Sequence, residues 1–261
     1  MKRAIVPLLL LLIATGTVVL LNSCATFTGT VIAPPKVEGA KYVGDKACND
    51  CHDKITRVFP SSPHARLRLT DAQMPGQQGC ESCHGPGSKH IAAGGGRGKF
   101  IVNPGKQPET CFQCHLSQNA QFHLPQHHPV LEGKMSCVDC HDPHGQDIMK
   151  PRGGLAMARV NESCSNCHRE QTKPHVFEHA ALREGCTACH SPHGSVNQKL
   201  LTIRDSNLCL RCHAQTPKPG TPGTLYIGNI NHTTYLHYGT CWTAGCHSAV
   251  HGSNVQPYYF Y

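Results

Sequence analysis

Residues 184–195 read EGCTACHSPHGS, with Cys186, Cys189 and His190 in the order C-x-x-C-H and a second histidine, His193, three residues on. Two cysteines three apart followed at once by histidine form the c-type haem attachment pattern. The spacing follows from the chemistry: the two thiols add to the two vinyl groups on one porphyrin edge, and the next side chain turns beneath the ring to offer an imidazole to iron.

The same pattern recurs along the chain. Cys48/Cys51/His52, Cys80/Cys83/His84, Cys111/Cys114/His115, Cys137/Cys140/His141, Cys164/Cys167/His168, Cys186/Cys189/His190 and Cys209/Cys212/His213 make seven regular motifs, and Cys241/Cys246/His247 is an eighth of the stretched form C-x4-C-H. Zinc sites draw ligands from two cysteine pairs and do not require histidine after every second one. A disulfide framework has no use for it either. Eight covalent haem c groups are therefore expected.

The motifs pair into four repeats. Each has a first motif, a histidine in the spacer, a second motif and a closing histidine, over residues 48–90, 111–144, 164–193 and 209–251. With eight proximal histidines, closing every iron on its far side needs eight more, two to a repeat. The repeat positions offer His64, His90, His128, His144, His179, His193, His251 and one of His232 or His237. His127 competes with His128. His232 lies nine residues before Cys241, as His128 lies nine before Cys137, and is preferred. His123 and His175 are left over.

Composition agrees with a cofactor-built interior. Of 261 residues, 17 are Cys, 20 His, 25 Gly and 19 Pro, while aromatics are 6%. That is too little aliphatic sequence for the long strands of a parallel-sheet enzyme. The mature chain holds about 30 residues per motif, so the porphyrins must lie close together, their apolar faces standing in for the missing core. Secondary structure is expected to be sparse. Short helices are predicted at 160–171, with Asn161/Glu162/Ser163 as cap region, at 202–215, with Asp205/Ser206, and at 175–186, where His175 and His179 would share a face. No strand is predicted with conviction. Gly94–Lys99 lacks the P-loop spacing and reads as a mobile loop.

The N-terminus is basic at Lys2-Arg3, apolar from Ala4 to Leu21, and ends in Leu21-Asn22-Ser23-Cys24. This has the layout of a secretory signal, and the last four residues resemble a bacterial lipobox. Residues 1–23 are expected to be a lipoprotein signal, Cys24 the lipidated residue, 24–41 a tether and 42–261 the octahaem domain. Ala25 after the cysteine favours the outer membrane. The formal charge of +8 is offset by haem, since each ferric haem with two propionates brings about −1. No basic run suggests nucleic acid.

Iron held by two imidazoles has no position left for a substrate and can only change charge by one electron. The arrangement therefore predicts electron transfer along closely spaced haems rather than catalysis. Two alternatives are a multihaem reductase with one open iron (nitrite, hydroxylamine or tetrathionate type) and a protomer of an extracellular cytochrome filament.

The segments GCESCHGPGSKH (79–90), MSCVDCHDPHG (135–145), FEHAALREGCTACHSPHGSVNQKLL (177–201), NLCLRCHA (207–214) and CHSAVHGSN (246–254) resemble the DmsE/MtrA family of periplasmic multihaem cytochromes. The resemblance implies an extended, mostly irregular haem ladder with bis-His irons and little or no β-sheet. It also implies a place in an outer-membrane porin–cytochrome conduit, between periplasmic donor cytochromes and an outer-surface multihaem cytochrome. Eight motifs rather than ten, the stretched last motif and the lipobox depart from the family pattern. They point to a shorter ladder anchored at the periplasmic side of the outer membrane, or at the cell surface.

Overall fold

The computed structural model describes residues 35–67, 79–145, 161–213, 215–216, 222–242 and 245–260. The signal segment, Cys24 and residues 25–34 of the tether lie outside them. Residues 35–41, assigned to the tether, are in fact tied to the body. Lys41 and Ser88 exchange hydrogen bonds, Lys41 N to Ser88 Oγ at 2.8 Å and Ser88 N to Lys41 O at 3.1 Å, and Lys89 Nζ donates to Glu38 O at 2.7 Å.

Regular structure is short because each haem motif needs only one turn. In six of the seven regular motifs the histidine N–H donates to the first cysteine's carbonyl at 2.9–3.0 Å; in the other, Cys80–His84 is itself an α-helix. One such turn puts two thiols three apart on one side, with the histidine just beyond. The stretched motif closes the same way: His247 N donates to Cys241 O at 2.8 Å. His247 is thus held to the first cysteine of its motif as in the regular form.

Among the described residues the longest helix is Leu116–Phe122, and none is long and apolar enough to cross a membrane. The sheet is three two-residue strands, Gln215–Thr216, Tyr226–Ile227 and Ile230–Asn231, paired antiparallel in that order. Buried apolar side chains are few. Phe112, Phe122 and Val130 form one small cluster, with Met135 and Cys137 against it. Such a cluster cannot organise a chain of this length.

Three expected helices are corrected. The stretch 175–186 is not one helix. His179 is extended, only Ala180–Glu184 is 3-10 helical, and Phe177 pairs with Ser253 through reciprocal backbone bonds of 2.9 and 3.0 Å. The second of those bonds claims the Phe177 carbonyl that a helix would bond to residue 181, so His175 and His179 do not share a helical face. At 202–215 only Ser206–Cys209 is α-helical, and at the 160–171 segment the helix is interrupted, with 161–165 and Arg169–Thr172 helical. Asn161 does not cap its own helix; its Oδ1 accepts from Cys186 N at 3.0 Å. Gly94–Lys99 forms a turn with a definite task, described below.

Candidate haem sites

The eight motifs are numbered sites 1 to 8 in chain order. Each proximal histidine ring faces a second imidazole. The pairs are His52/His90 at 6.3 Å between ring centroids, His84/His144 at 6.0 Å, His115/His64 at 6.0 Å, His141/His193 at 6.0 Å, His168/His128 at 6.1 Å, His190/His251 at 6.2 Å, His213/His179 at 6.2 Å and His247/His232 at 6.5 Å. An imidazole nitrogen binds a first-row metal at about 2 Å, so two imidazoles on opposite sides of one ion stand about 6 Å apart, centroid to centroid. The side chains thus leave the gap that one iron fills, and the residues fit a haem at every site.

The structure also decides which units the pairs join. A reading in which each repeat closes its own two irons is not what is found. Spacer histidines reach forward: His64 faces site 3, His128 site 5 and His179 site 7. Closing histidines reach back: His144 faces site 2, His193 site 4 and His251 site 6. This rule leaves sites 1 and 8 unserved and His90 and His232 unused. Those two histidines close the two ends within their own units.

The three junctions between units share one construction. The Nδ1 of each forward-reaching histidine meets the carbonyl just before the backward-reaching one: His64 with Pro143 O at 3.3 Å, His128 with Pro192 O at 2.6 Å and His179 with Val250 O at 2.9 Å. Two residues out, backbone pairs lock the second and third junctions, Gln126 with Ser195 and Phe177 with Ser253. At the first, the buried Ser62 hydroxyl donates to Pro143 O at 2.7 Å. Elsewhere Nδ1 meets a nearby carbonyl, Val102 O for His84, Lys99 O for His90, Lys199 O for His190, Ile230 O for His232 and Tyr258 O for His247, whereas His193 reaches across to Gln121 Oε1 of the second unit. An N–H committed on one ring nitrogen fixes the tautomer and leaves the other nitrogen for the metal. The Gly94–Lys99 turn supplies the Lys99 carbonyl that orients His90.

Burial pushes the ring pKa of His144, His179, His193 and His251 down, helped in each case by the facing histidine. These rings are held in the neutral form that binds metal. His127 is different. Its Nδ1 lies 2.6 Å from Leu124 O and its Nε2 2.9 Å from Glu132 Oε1, so both nitrogens are engaged. Its ring pKa is raised, chiefly by the Glu132 hydrogen bond. The prediction is direct: His127→Ala will leave the optical and EPR spectra of the loaded protein unchanged, whereas His128→Ala will convert one of the low-spin sites to high spin.

All sixteen described cysteines are free, and their contacts order the sites. Within each unit the first thiols stand close enough to shift one another's titration: Cys48 and Cys80, Cys111 and Cys137, Cys164 and Cys186, and Cys209 and Cys241. In the last three pairs the neighbouring thiol holds one partner above its ordinary value and the other below it, Cys137 at about 7, Cys186 at about 6 and Cys241 at about 5. Between units the second thiols feel one another: burial first, with Asp139 next for Cys140, and the thiol of the adjoining unit raise Cys114 (Cys83), Cys140 (Cys167) and Cys189 (Cys212). First-thiol and second-thiol influences alternate from one site to the next in chain order. That order was not readable from the sequence.

Cys51 of site 1 is exposed and Cys246 of site 8 half-buried; their spacing from Cys48/His52 and Cys241/His247 is what marks them as attachment cysteines.

A family model of the doubled CXXCH motif matches residues 127–173 and 179–218, and one of cytochrome c7 and related cytochrome c matches 36–116. The chain belongs to the multihaem c-type cytochromes. It is similar to the multiheme cytochrome MtrA of Shewanella baltica, 32% identical over 221 residues, covering 80% of this chain and 58% of that one. The C-type polyheme cytochrome OmcB of Geobacter sulfurreducens is 25% identical over 245 residues, 82% of this chain and 31% of that one. The cytochrome c-type protein NrfH of Wolinella succinogenes is 30% identical over 142 residues, 45% of this chain and 76% of that one. This cytochrome thus spans about three fifths of the length of MtrA and one third of that of OmcB. Haem c binding through its motifs and electron transfer follow from membership. When bound, haem c supplies a one-electron ferric/ferrous couple, and the chain fixes its ligands, spacing and surroundings.

Two signals in the sequence went unread. The three backward-reaching histidines are each followed by glycine, at Gly145, Gly194 and Gly252, whereas His90, which stays in its own unit, is followed by Ile91. A Cβ on those glycines would stand 2.3 Å from Asp142 Oδ2, within 2 Å of the Gln121 carbonyl oxygen and 2.6 Å from the His175 ring respectively. His-Gly marks a ligand that must cross. The second signal is the far end. No Asp, Glu, Lys or Arg follows Lys218, yet six of the seven tyrosines and the only tryptophan do. Tyr235, Tyr238 and Tyr258 stand exposed there, and Phe260 stacks on His247 at 5.3 Å.

Proposed function

We propose that this cytochrome is an eight-haem wire of bis-His irons serving as the periplasmic component of a porin–cytochrome conduit for extracellular electron transfer. Cys48/Cys51, Cys80/Cys83, Cys111/Cys114, Cys137/Cys140, Cys164/Cys167, Cys186/Cys189, Cys209/Cys212 and Cys241/Cys246 carry the haems. The sixteen histidines paired above are the axial ligands. The observation that carries the reading is that every proximal imidazole meets a second one at iron-bridging distance, in a series that follows the chain. With all eight positions closed, no iron is left for nitrite or hydroxylamine. With all ligands drawn from one chain, none has to come from a neighbouring protomer.

The two ends suit different partners. Around site 1 stand exposed Lys46, Asp50, Asp53, Lys54 and Arg57, a face for brief electrostatic docking of a soluble periplasmic donor. Site 8 lies in the charge-free, tyrosine-rich segment, the composition of a lasting interface core. An outer-surface cytochrome seated inside or above a β-barrel is the partner this end suits. Lipidation of Cys24 anchors the chain at the periplasmic side of the outer membrane. The test is purification from membranes with mild detergent. Eight haems per chain by mass, an all-low-spin EPR spectrum, no carbon monoxide adduct on reduction, labelling of Cys24 by fatty acid and co-purification of a β-barrel protein are expected. Recovery of the unlabelled chain alone from the soluble fraction would overturn the anchor and the conduit.

A further inference from the structure

Site 2 has a feature that no other site shares. Glu81 occupies the position after the first cysteine of its motif, where the other motifs carry Asn49, Phe112, Val138, Ser165, Thr187, Leu210 and Trp242. It is 4% exposed. Its carboxylate accepts from Val43 N at 3.1 Å on both oxygens, from Gly44 N at 2.7 Å and from Gly87 N at 2.8 Å. These are amide dipoles. Lys89, on the neighbouring helix Ser88–Ala92, turns its ammonium to the Glu38 carbonyl instead, and none of the ion pairs found among the described residues involves Glu81.

A buried carboxylate held by N–H groups alone is a fixed negative charge in a medium that screens it poorly. Its place within one helical turn, Cys80–His84, puts it between the two attachment points of site 2. It also reaches site 1: Gly44, whose N–H it binds at 2.7 Å, is the residue that opens the 3-10 helix Asp45–Cys48, which carries the first cysteine of site 1. Oxidation of haem adds a positive charge at the iron, and a nearby anion favours the oxidised form.

Resting on the eight-haem reading above, we propose that Glu81 tunes the reduction potential of the ladder's first pair, holding site 2, and to a smaller extent site 1, at lower potential than their ligands alone would set. Glu81 is a positioning residue as well, since its four hydrogen bonds strap residues 43–44 over the motif. The two roles separate by substitution. Glu81→Gln keeps shape and acceptor oxygen but removes the charge; Glu81→Asp keeps the charge on a shorter arm.

The experiment is a spectroelectrochemical titration of the purified holoprotein and both variants, with haem count by mass alongside. Glu81→Gln is expected to move the low-potential limb of the curve positive, with about a tenfold gain in the reduction equilibrium constant of one haem, or ~59 mV for one electron. The shift should be the same at low and high salt, because a buried charge is little screened. Glu81→Asp should titrate like the parent. Superposition of the Glu81→Gln and parent curves overturns the proposal, and so do equal shifts in both variants, which would assign the effect to the strap. Fewer than eight haems in the parent would instead overturn the reading on which the proposal rests.

Discussion

Replacing His193 by alanine will leave one haem of the eight five-coordinate. It will add one equivalent of carbon monoxide binding to the reduced protein and lower stability on the order of 3 kcal/mol. The ring is half-buried and neutral. It faces His141 at 6.0 Å and donates from Nδ1 to Gln121 Oε1 at 3.1 Å, with Phe122 against it at 5.4 Å. Removing it takes away a ligand, a hydrogen bond and packing at once. It also severs one strap between the second and third units, since His193 belongs to one and the iron it would close to the other. His90→Ala provides the contrast. It opens a site too, but one whose ligands lie in a single unit, so the chain should lose its first site without loosening a junction. Limited proteolysis of both loaded variants checks this: His193→Ala should be cut faster between units 2 and 3, and His90→Ala only near its N-terminal end.

The difference between those two histidines shows where sequence reading stops. Each motif is legible because it is local: a haem edge, two thiols and a histidine lie within one turn of backbone, and even the C-x4-C-H form closes through the same His247-to-Cys241 bond. The positions of the second imidazoles are legible as well, because the repeat places a spacer and a closing histidine in every unit. Which iron each one faces is not local. His64 and His115 are 51 residues apart in the numbering, and His190 and His251 61 apart; nothing in their immediate neighbours except the His-Gly step encodes the crossing. His127 and His128 likewise differ in what each ring nitrogen meets, Leu124 and Glu132 for one and Pro192 for the other, and none of these partners is readable from the sequence. The helix expected at 175–186 fails for a related reason. Its local periodicity is helical, but residues 250–254 compete for the same backbone groups and win.

Crossing also explains how so thin a core holds together. A chain whose repeats closed their own irons would be four beads on a string, each with too little apolar surface to fold alone. With the ligands exchanged, each inner haem would clasp two units. Order then propagates from neighbour to neighbour as in other repeat proteins, and the end units differ because they have one neighbour each. His90 and His232 are those end caps. The buried side chains at the junctions are serines as often as hydrocarbons, Ser62, Ser195 and Ser253, because their task is to satisfy backbone carbonyls and N–H groups where two loops meet.

Gly194→Ala will reproduce the spectrum of His193→Ala although it removes no ligand. A Cβ at Gly194 would overlap the Gln121 carbonyl oxygen and come within 2.7 Å of its carbon and 3.4 Å of Gln126 O. All three are backbone atoms, which cannot turn aside as a side chain can. Gln121 lies in the helix Leu116–Phe122, and Gln126 is bound to Ser195 by two backbone bonds of 3.1 and 2.8 Å. The segment carrying His193 must therefore withdraw, and with it the ring that faces His141. His128, whose Nδ1 lies 2.6 Å from Pro192 O in the same segment, should be disturbed too. A cost of about 3 kcal/mol or more is expected, at the overpacking end of core substitutions, with high-spin signal from site 4 and a smaller contribution from site 5. Gly133→Ala is the control. Gly133 has a positive φ, at 68°, which Gly194 does not, but open space around its missing Cβ, so it should cost only about 1 kcal/mol of backbone strain and leave every haem low-spin. Thermal melts and reduced-plus-carbon-monoxide difference spectra of the two variants separate steric exclusion at the junction from a general intolerance of glycine replacement. Equal spectra for both would mean that the His-Gly step has no part in placing the crossing ligand.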